Sequence, residues 1–299
     1  LLLAGSALSV SAGSESDRGI FAGGEKRDYR LYIPDTLKPA GERSLVIMLH
    51  GGGGNGRQAS EAYGWNEKAD EEGFIVAYPS GSGKLRKKLL TWNAGHCCAY
   101  AMREETDDVG FIKGLIANLV YKYKIDPNRV YVTGLSNGGM MTHRLGRELS
   151  DSIAAIAPVV GAVFADDPKA KGPVSTLIMT GMRDKNVPPG GGYGDHVGRK
   201  QPNDKPYATA NDQLIYWVRQ NGCKSPTTID ASHIVQKIVY SGCKNDTAVV
   251  HYYLYQLGHA WPGSKVVRKG ADDPGTEFDA TSVIWDFFKV HPKKPATAE

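Results

Sequence analysis

Apolar residues along this chain fall into short unbroken runs separated by longer amphipathic stretches. That rhythm predicts buried strands alternating with surface helices. Residues 44–49 (SLVIML), 74–79 (FIVAYP), 153–160 (IAAIAPVV) and 175–180 (STLIMT) are continuous runs, as expected of strands covered on both faces. Residues 130–133 (VYVT) make another. Residues 27–33 alternate into an edge-type strand that Pro34-Asp35 stops, and residues 249–257 read as a final long strand. Between these runs the spacing predicts helices over 57–72, from 106 to about 124, and over 137–149, 209–221 and 279–289. In the second of them Val109, Ile112, Leu115, Ile116 and Leu119 mark one buried face, and Thr106-Asp107-Asp108 supplies an acidic, capping start. The expectation is an α/β protein: a mostly parallel central sheet with helices on both faces.

Composition narrows the class. The 299 residues are 41% hydrophobic and 23% charged, enough for a substantial core, and no internal repeat or low-complexity linker divides them. One domain is expected over 27–290, after a leader and loose segment at 1–26 and before a polar tail at 291–299. A net charge of +4 gives no argument for a nucleic-acid partner, and the basic cluster Lys84-Leu85-Arg86-Lys87-Lys88 reads as a solvated loop. Residues 1–12 are apolar, too short to span a bilayer, and end in the small-residue pattern Val10-Ser11-Ala12, so they read as the remnant of a secretory signal. A secreted or periplasmic location with no membrane partner follows as an expectation. Four cysteines fit an oxidising compartment. Cys223 and Cys243 flank a short strand-like segment and form a candidate bridge, worth about 3 kcal/mol if closed. For the adjacent Cys97 and Cys98, buried thiols, a mutual disulfide or other partners all stay open. No C-x-x-C pair points to zinc.

Candidate chemistry centres on Gly134-Leu135-Ser136-Asn137-Gly138, a G-x-S-x-G pattern between a predicted strand and a predicted helix. Such a turn exposes a serine hydroxyl at the strand's carboxyl end, beside a helix amino terminus that favours developing negative charge. A serine hydroxyl needs a base to take its proton, and the base needs an orienting carboxylate. Asp184 follows the strand at 175–180, with Asp195 and Asp204 in reserve. His259 follows the last strand in a loop bounded by Gly258 and Pro262; His251 inside that strand and His143 on the elbow helix are poorer candidates. For an oxyanion, the expected donors are the backbone N–H groups of Asn137 and of Gly52, with Gly51 the alternative, the glycines lying in His50-Gly51-Gly52-Gly53-Gly54. That loop lacks the G-K-[ST] ending of a phosphate loop and the G-x-G-x-x-G spacing of a dinucleotide site. No cofactor or metal is expected. Trp92, Trp261 and His50 flank the predicted site and are candidates to contact substrate, the tryptophans reading equally well as core packing.

These segments, together with Trp92-Asn93, Cys97-Cys98, the run 107–112 (DDVGFI), Asn221-Gly222-Cys223 and the run 258–263 (GHAWPG), resemble secreted esterases of the polyhydroxybutyrate depolymerase and feruloyl/acetylxylan esterase type. These are family 1 carbohydrate esterases within the α/β-hydrolase superfamily. The resemblance implies the α/β-hydrolase fold, a Ser136–His259–Asp184 triad and the same oxyanion loop. It also implies an ester substrate that is phenolic, acetyl or hydroxyalkanoate. The expected activity is hydrolysis of feruloyl or acetyl esters of plant cell-wall polysaccharide, with polyhydroxyalkanoate hydrolysis the alternative and a non-catalytic binding protein the third reading. Activity should rise as a histidine loses its proton, roughly at pH 6–7. Two departures stand out: the residues after Asp184 are longer and more glycine-rich than in relatives, and Gly52 replaces a frequent cysteine, which leaves the backbone donor intact.

Overall fold

A computed structural model describes residues 13–85, 87–195, 205–265 and 271–294. Ten strands form one sheet: β1 (Ser14–Ala22), β2 (Glu25–Ile33), β3 (Arg43–Leu49), β4 (Ile75–Pro79), β5 (Ile125–Leu135), β6 (Ala155–Val159), β7 (Ser175–Gly181), β8 (Thr228–Ala231), β9 (Val235–Tyr240) and β10 (Val249–Leu254). Their spatial order is β1-β2-β4-β3-β5-β6-β7-β10-β9-β8. From β4 to β10 all neighbours run parallel, and antiparallel pairs close both edges. Among the described residues, seven α-helices surround it: α1 (Gly56–Ala62), α2 (Trp65–Glu72), α3 (Ala99–Arg103), α4 (Asp108–Tyr123), α5 (Asn137–Glu148), α6 (Ala210–Gln220) and α7 (Ala280–Lys289).

The continuous apolar runs are buried on both faces, as their composition requires. Within β3, Leu45, Ile47 and Leu49 enter the core beneath α4, α5 and α6 with Phe111, Leu115, Met141 and Trp217. Val46 and Met48 point the other way, into a core shared with Trp65 of α2 and Ile284, Trp285 and Phe288 of α7. The two-residue period of a strand thus divides one hydrophobic segment between two cores.

Three expectations change. Residues 14–22 are not loose: they form β1, paired along its length with β2, so the sheet begins well before residue 27. The helix expected over 57–72 is two helices, broken at Gly64, whose φ of 71° lies in the left-handed region. The tail is held at its start, with the Lys293 N–H donating to Asn128 O at 2.8 Å. The signal-like residues 1–12, Arg86 of the basic cluster, and Asp204 lie outside the described residues. Asp126 to Arg129 precede the buried part of β5, and every strand from β3 to β10 of the parallel set ends its carboxyl terminus at the same rim. The strand order reverses there between β3 and β5, where open α/β sheets form their binding crevices.

Candidate active site

Ser136 sits between β5 and α5 with φ 57° and ψ −120°, a strained conformation for a residue with a side chain. Close packing makes the turn possible. A Cβ on Gly134 would lie 2.5 Å from Gly138 O, and one on Gly138 would lie 2.5 Å from His50 O and Leu49 O. Only glycine lets α5 close onto β3 and β5 at this point. The Ser136 N–H donates to Val159 O at 2.9 Å, which fixes the turn to the neighbouring strand.

Two loops from the far side of the sheet reach the serine. His259 Nε2 lies 2.8 Å from Ser136 Oγ, and His259 Nδ1 lies 2.7 Å from Asp184 Oδ2. Asp184 is buried, and its other oxygen accepts the backbone N–H groups of Asn186 and Val187 at 2.8 and 2.9 Å. The carboxylate is therefore satisfied on both oxygens and held in one orientation. The remaining histidines considered lie elsewhere: His143 accepts the Trp217 Nε1–H at 2.9 Å inside the helical layer, and His251 is buried against Thr180 Oγ1 at 2.8 Å. The reserve carboxylate Asp195 is exposed, with its own N–H donating to Lys185 O.

The expected donors flank the serine from the opposite side. Asn137 is the first residue of α5, where a helical N–H has no partner within the helix. A Cβ on Gly52 would touch Asn137 Cβ at 3.7 Å, and one on Gly51 would touch Ser136 Cβ at 3.6 Å, so the glycine loop lies against the elbow. The Asn137 side chain does separate work that the sequence did not disclose. Its Oδ1 accepts the Trp92 N–H at 2.7 Å and its Nδ2 donates to Trp92 O at 3.1 Å.

Trp92, Trp261 and His50 stand behind the site rather than in an open cleft, with relative exposures of 0%, 2% and 1%. Trp92 Nε1–H donates to His50 O at 3.0 Å, and Trp261 Nε1–H donates to Thr281 Oγ1 at 3.0 Å while its ring packs on Tyr63 and Trp65. The core reading of the tryptophans prevails, and His50 changes role with them: no face of these rings is available to a substrate. Burial lowers the His50 pKa to about 4, so its imidazole is neutral at physiological pH.

The adjacent Cys97 and Cys98 pair with each other, and Cys223 pairs with Cys243 at 2.07 Å. The first pair lies next to the Trp92 segment, Asn137 Nδ2 being 3.9 Å from Cys97 Sγ. One residue that sequence reasoning missed also touches the site. Asp272 Oδ2 accepts the backbone N–H of His259 at 2.6 Å, and a side chain on Gly258 would collide with that carboxylate.

The family model described as Esterase PHB depolymerase matches residues 27–187. A bifunctional acetylxylan esterase/xylanase from Neocallimastix patriciarum is 31% identical over 161 residues, 54% of this chain and 22% of that protein. A poly(3-hydroxybutyrate) depolymerase from Ralstonia pickettii is 33% identical over 130 residues, 40% of this chain and 25% of that protein. The chain thus spans only about a quarter of the length of these two relatives. Among solved structures, an acetyl xylan esterase from Aspergillus awamori superposes with a TM-score of 0.65 at 15% identity, covering 93% of this chain and 99% of that one, a likeness of fold.

Proposed function

The chain belongs to the Esterase PHB depolymerase family, and from that premise we propose that it is a secreted or periplasmic serine carboxylesterase acting on feruloyl or acetyl esters of plant cell-wall polysaccharide. The observation that carries the reading is the unbroken line from the Ser136 hydroxyl through the His259 imidazole to the Asp184 carboxylate, at 2.8 and 2.7 Å. Both spacings are within hydrogen-bond reach, which is what a nucleophile, its base and the base's orienter require.

The reaction follows from these roles. His259 Nε2 takes the proton of Ser136 as Oγ attacks the ester carbonyl carbon. Negative charge moves to the carbonyl oxygen, where the Gly52 and Asn137 N–H groups receive it. Asp184 stabilises the imidazolium, which then returns the proton to the departing alcohol and leaves an acyl-serine. Water enters, His259 takes its proton as the water oxygen attacks the acyl carbon, and the imidazolium returns that proton to Ser136 Oγ as the acid leaves. The strained backbone of Ser136 keeps the hydroxyl at the rim, where a bulky ester can approach.

The choice of a sugar-linked ester rests on the acetylxylan esterase relatives, because the buried Trp92 and Trp261 offer no stacking surface. The second reading is hydrolysis of polyhydroxybutyrate or its oligomers, favoured by the similarity to a depolymerase over 40% of the chain. Two disulfides support an oxidising compartment, and among the described residues no helix is long and apolar enough to cross a membrane.

Ser136→Ala is the decisive variant. Turnover of a simple aryl acetate should fall by roughly four orders of magnitude or more, to the residual level that binding and oxyanion donors alone sustain. A variant retaining most of the activity would refute Ser136 as the nucleophile, and a parent with no turnover would return the protein to the class of binding proteins on a hydrolase fold. Rates on methyl ferulate, acetylated xylan and a short hydroxybutyrate oligomer then rank the two substrate readings.

A further inference from the structure

The glycine loop after β3 holds a peptide whose orientation decides whether an oxyanion donor exists at all. In a trans peptide the C=O and the N–H point in opposite directions. Gly51 O and the Gly52 N–H belong to one such plane, so whatever holds the first aims the second. Gly51 O is held twice: it lies 2.8 Å from His50 Nδ1, and it accepts the Gly54 N–H at 3.0 Å. The Gly53 N–H is used on Leu90 O at 2.8 Å. Among the described residues, the Gly52 N–H donates to nothing within the chain. Glycine on both sides of this peptide removes the steric barrier that would otherwise prevent it from turning over. In the reversed orientation, the Gly51 carbonyl would enter the space meant for the oxyanion and repel it.

The His50 ring has only one protonation state that satisfies its partners. A carbonyl oxygen can only accept, so Nδ1 must carry a proton towards Gly51 O. On the other side, the Gly81 N–H lies 3.0 Å from Nε2 and can only donate, so Nε2 must be bare. The neutral Nδ1–H tautomer fits both contacts, and neither the other tautomer nor the cation does. Burial keeps the ring neutral, and Trp92 Nε1–H on His50 O fixes the backbone from which the ring hangs.

We propose that His50 is a positioning residue: its Nδ1–H on Gly51 O locks the Gly51–Gly52 peptide with the Gly52 N–H turned to the reacting carbonyl oxygen. The inference rests on the esterase reading above and extends it from the donor to the group that aims the donor.

Two substitutions separate the contacts. In His50→Asn the side-chain amide nitrogen falls near the place of Nδ1 and still donates to Gly51 O. In His50→Gln the amide oxygen falls near the place of Nε2, so it accepts from Gly81 while nothing donates to Gly51 O. An oxyanion donor acts in the transition state, so its loss appears in kcat with little change in KM. His50→Gln should lower kcat roughly 100-fold on an aryl acetate, and His50→Asn should stay within about fivefold of the parent. Equal kcat values for the two variants, or a loss confined to KM, would overturn the proposal. Should His50→Gln fail to fold, imidazole-¹⁵N spectra of the unaltered protein decide. A His50 resonance of the Nδ1–H tautomer at pH 7 supports the assignment; the Nε2–H tautomer or an imidazolium defeats it. The esterase reading fails differently: the parent and Ser136→Ala would then hydrolyse the ester equally, and the inference would fall with it.

Discussion

The two halves of the site are built by different means. On the donor side, buried side chains tie one backbone segment to the next. Trp92 Nε1–H holds His50 O, the Asn137 amide clasps both polar groups of Trp92, and Asp108 Oδ2 accepts the Asn93 N–H at 2.7 Å. Asp108 is itself paired with Arg27 at 2.6 Å, with side-chain exposures of 0% and 4%. On the acid–base side the ties are mostly main chain. Met182 N–H donates to Leu254 O at 3.0 Å and Arg183 N–H to Leu257 O at 2.9 Å, joining the loop of Asp184 to the loop of His259. The difference follows from the work proposed for each half. Donors stabilise charge best when fixed in advance and shielded from water. A base must gain and lose a proton in every turnover, and its loop stays near solvent.

Acid should strain the donor half together with the core around it, and this is the largest effect expected. Burial lowers the pKa of His50 to about 4 and those of His143 and His251 to about 3. Each folded value lies below the unfolded value of about 6.5, so the unfolded chain binds protons first as pH falls. The stability these neutral rings confer is complete above about pH 6.5 and is lost progressively towards pH 4 for His50 and pH 3 for the others. At pH 5 the loss is about 2 kcal/mol per histidine. Urea unfolding at pH 7.5 and pH 5 measures it; a midpoint that does not move between them would mean that these rings are charged or solvated in the native protein.

The buried pair comes next, and it tests the donor half alone. Burial raises the Asp108 carboxyl against the opposing pull of Arg27, so the pair is held by its geometry rather than by cheap solvation. Asp108→Ala leaves the Arg27 guanidinium buried without its partner and should cost about 3–5 kcal/mol in urea unfolding. It also releases the Asn93 N–H, so kcat should fall along with stability. A loss below about 1 kcal/mol would shift the rigidity of this half to the Trp92–Asn137 clasp.

The same contrast explains what the sequence disclosed. The parallel strands were legible because burial on both faces demands unbroken apolar runs, and the elbow was legible because steric closure demands glycine at 134 and 138. The edge strand β1 was not, because its residues alternate between exposed and half-buried and leave no apolar run. The signal that marks it is the turn: Gly23 and Gly24 have φ of 62° and 80°, the left-handed pair of a two-residue hairpin. β8 hides for a related reason, being exposed along its length. Trp92 and Trp261 were ambiguous because a tryptophan beside a reactive group serves equally as a platform or as a wall. Only their burial distinguishes the two. Asn137 was expected for its backbone, whereas its side-chain clasp on Trp92 depends on two segments 45 residues apart in sequence.

Asp272 provides the finest test of the acid–base half, and the smallest expected effect. It lies 13 residues beyond His259, on an exposed loop with no periodic pattern to mark it, and yet it takes the His259 N–H at 2.6 Å. If main-chain ties already set the His259 loop, this carboxylate only trims the angle of the imidazole. Asp272→Ala should then change stability by no more than about 0.5 kcal/mol, as for other surface substitutions. Small misplacement of a base is still felt in the rate, so kcat should fall roughly fivefold with KM unchanged. Asp272→Asn keeps an acceptor oxygen and should recover most of that loss. An Asp272→Ala enzyme with full kcat would show that main-chain pairing between the two loops suffices to hold the base, while a fall of several hundredfold would make this half as dependent on a side chain as the donor half is on Asp108.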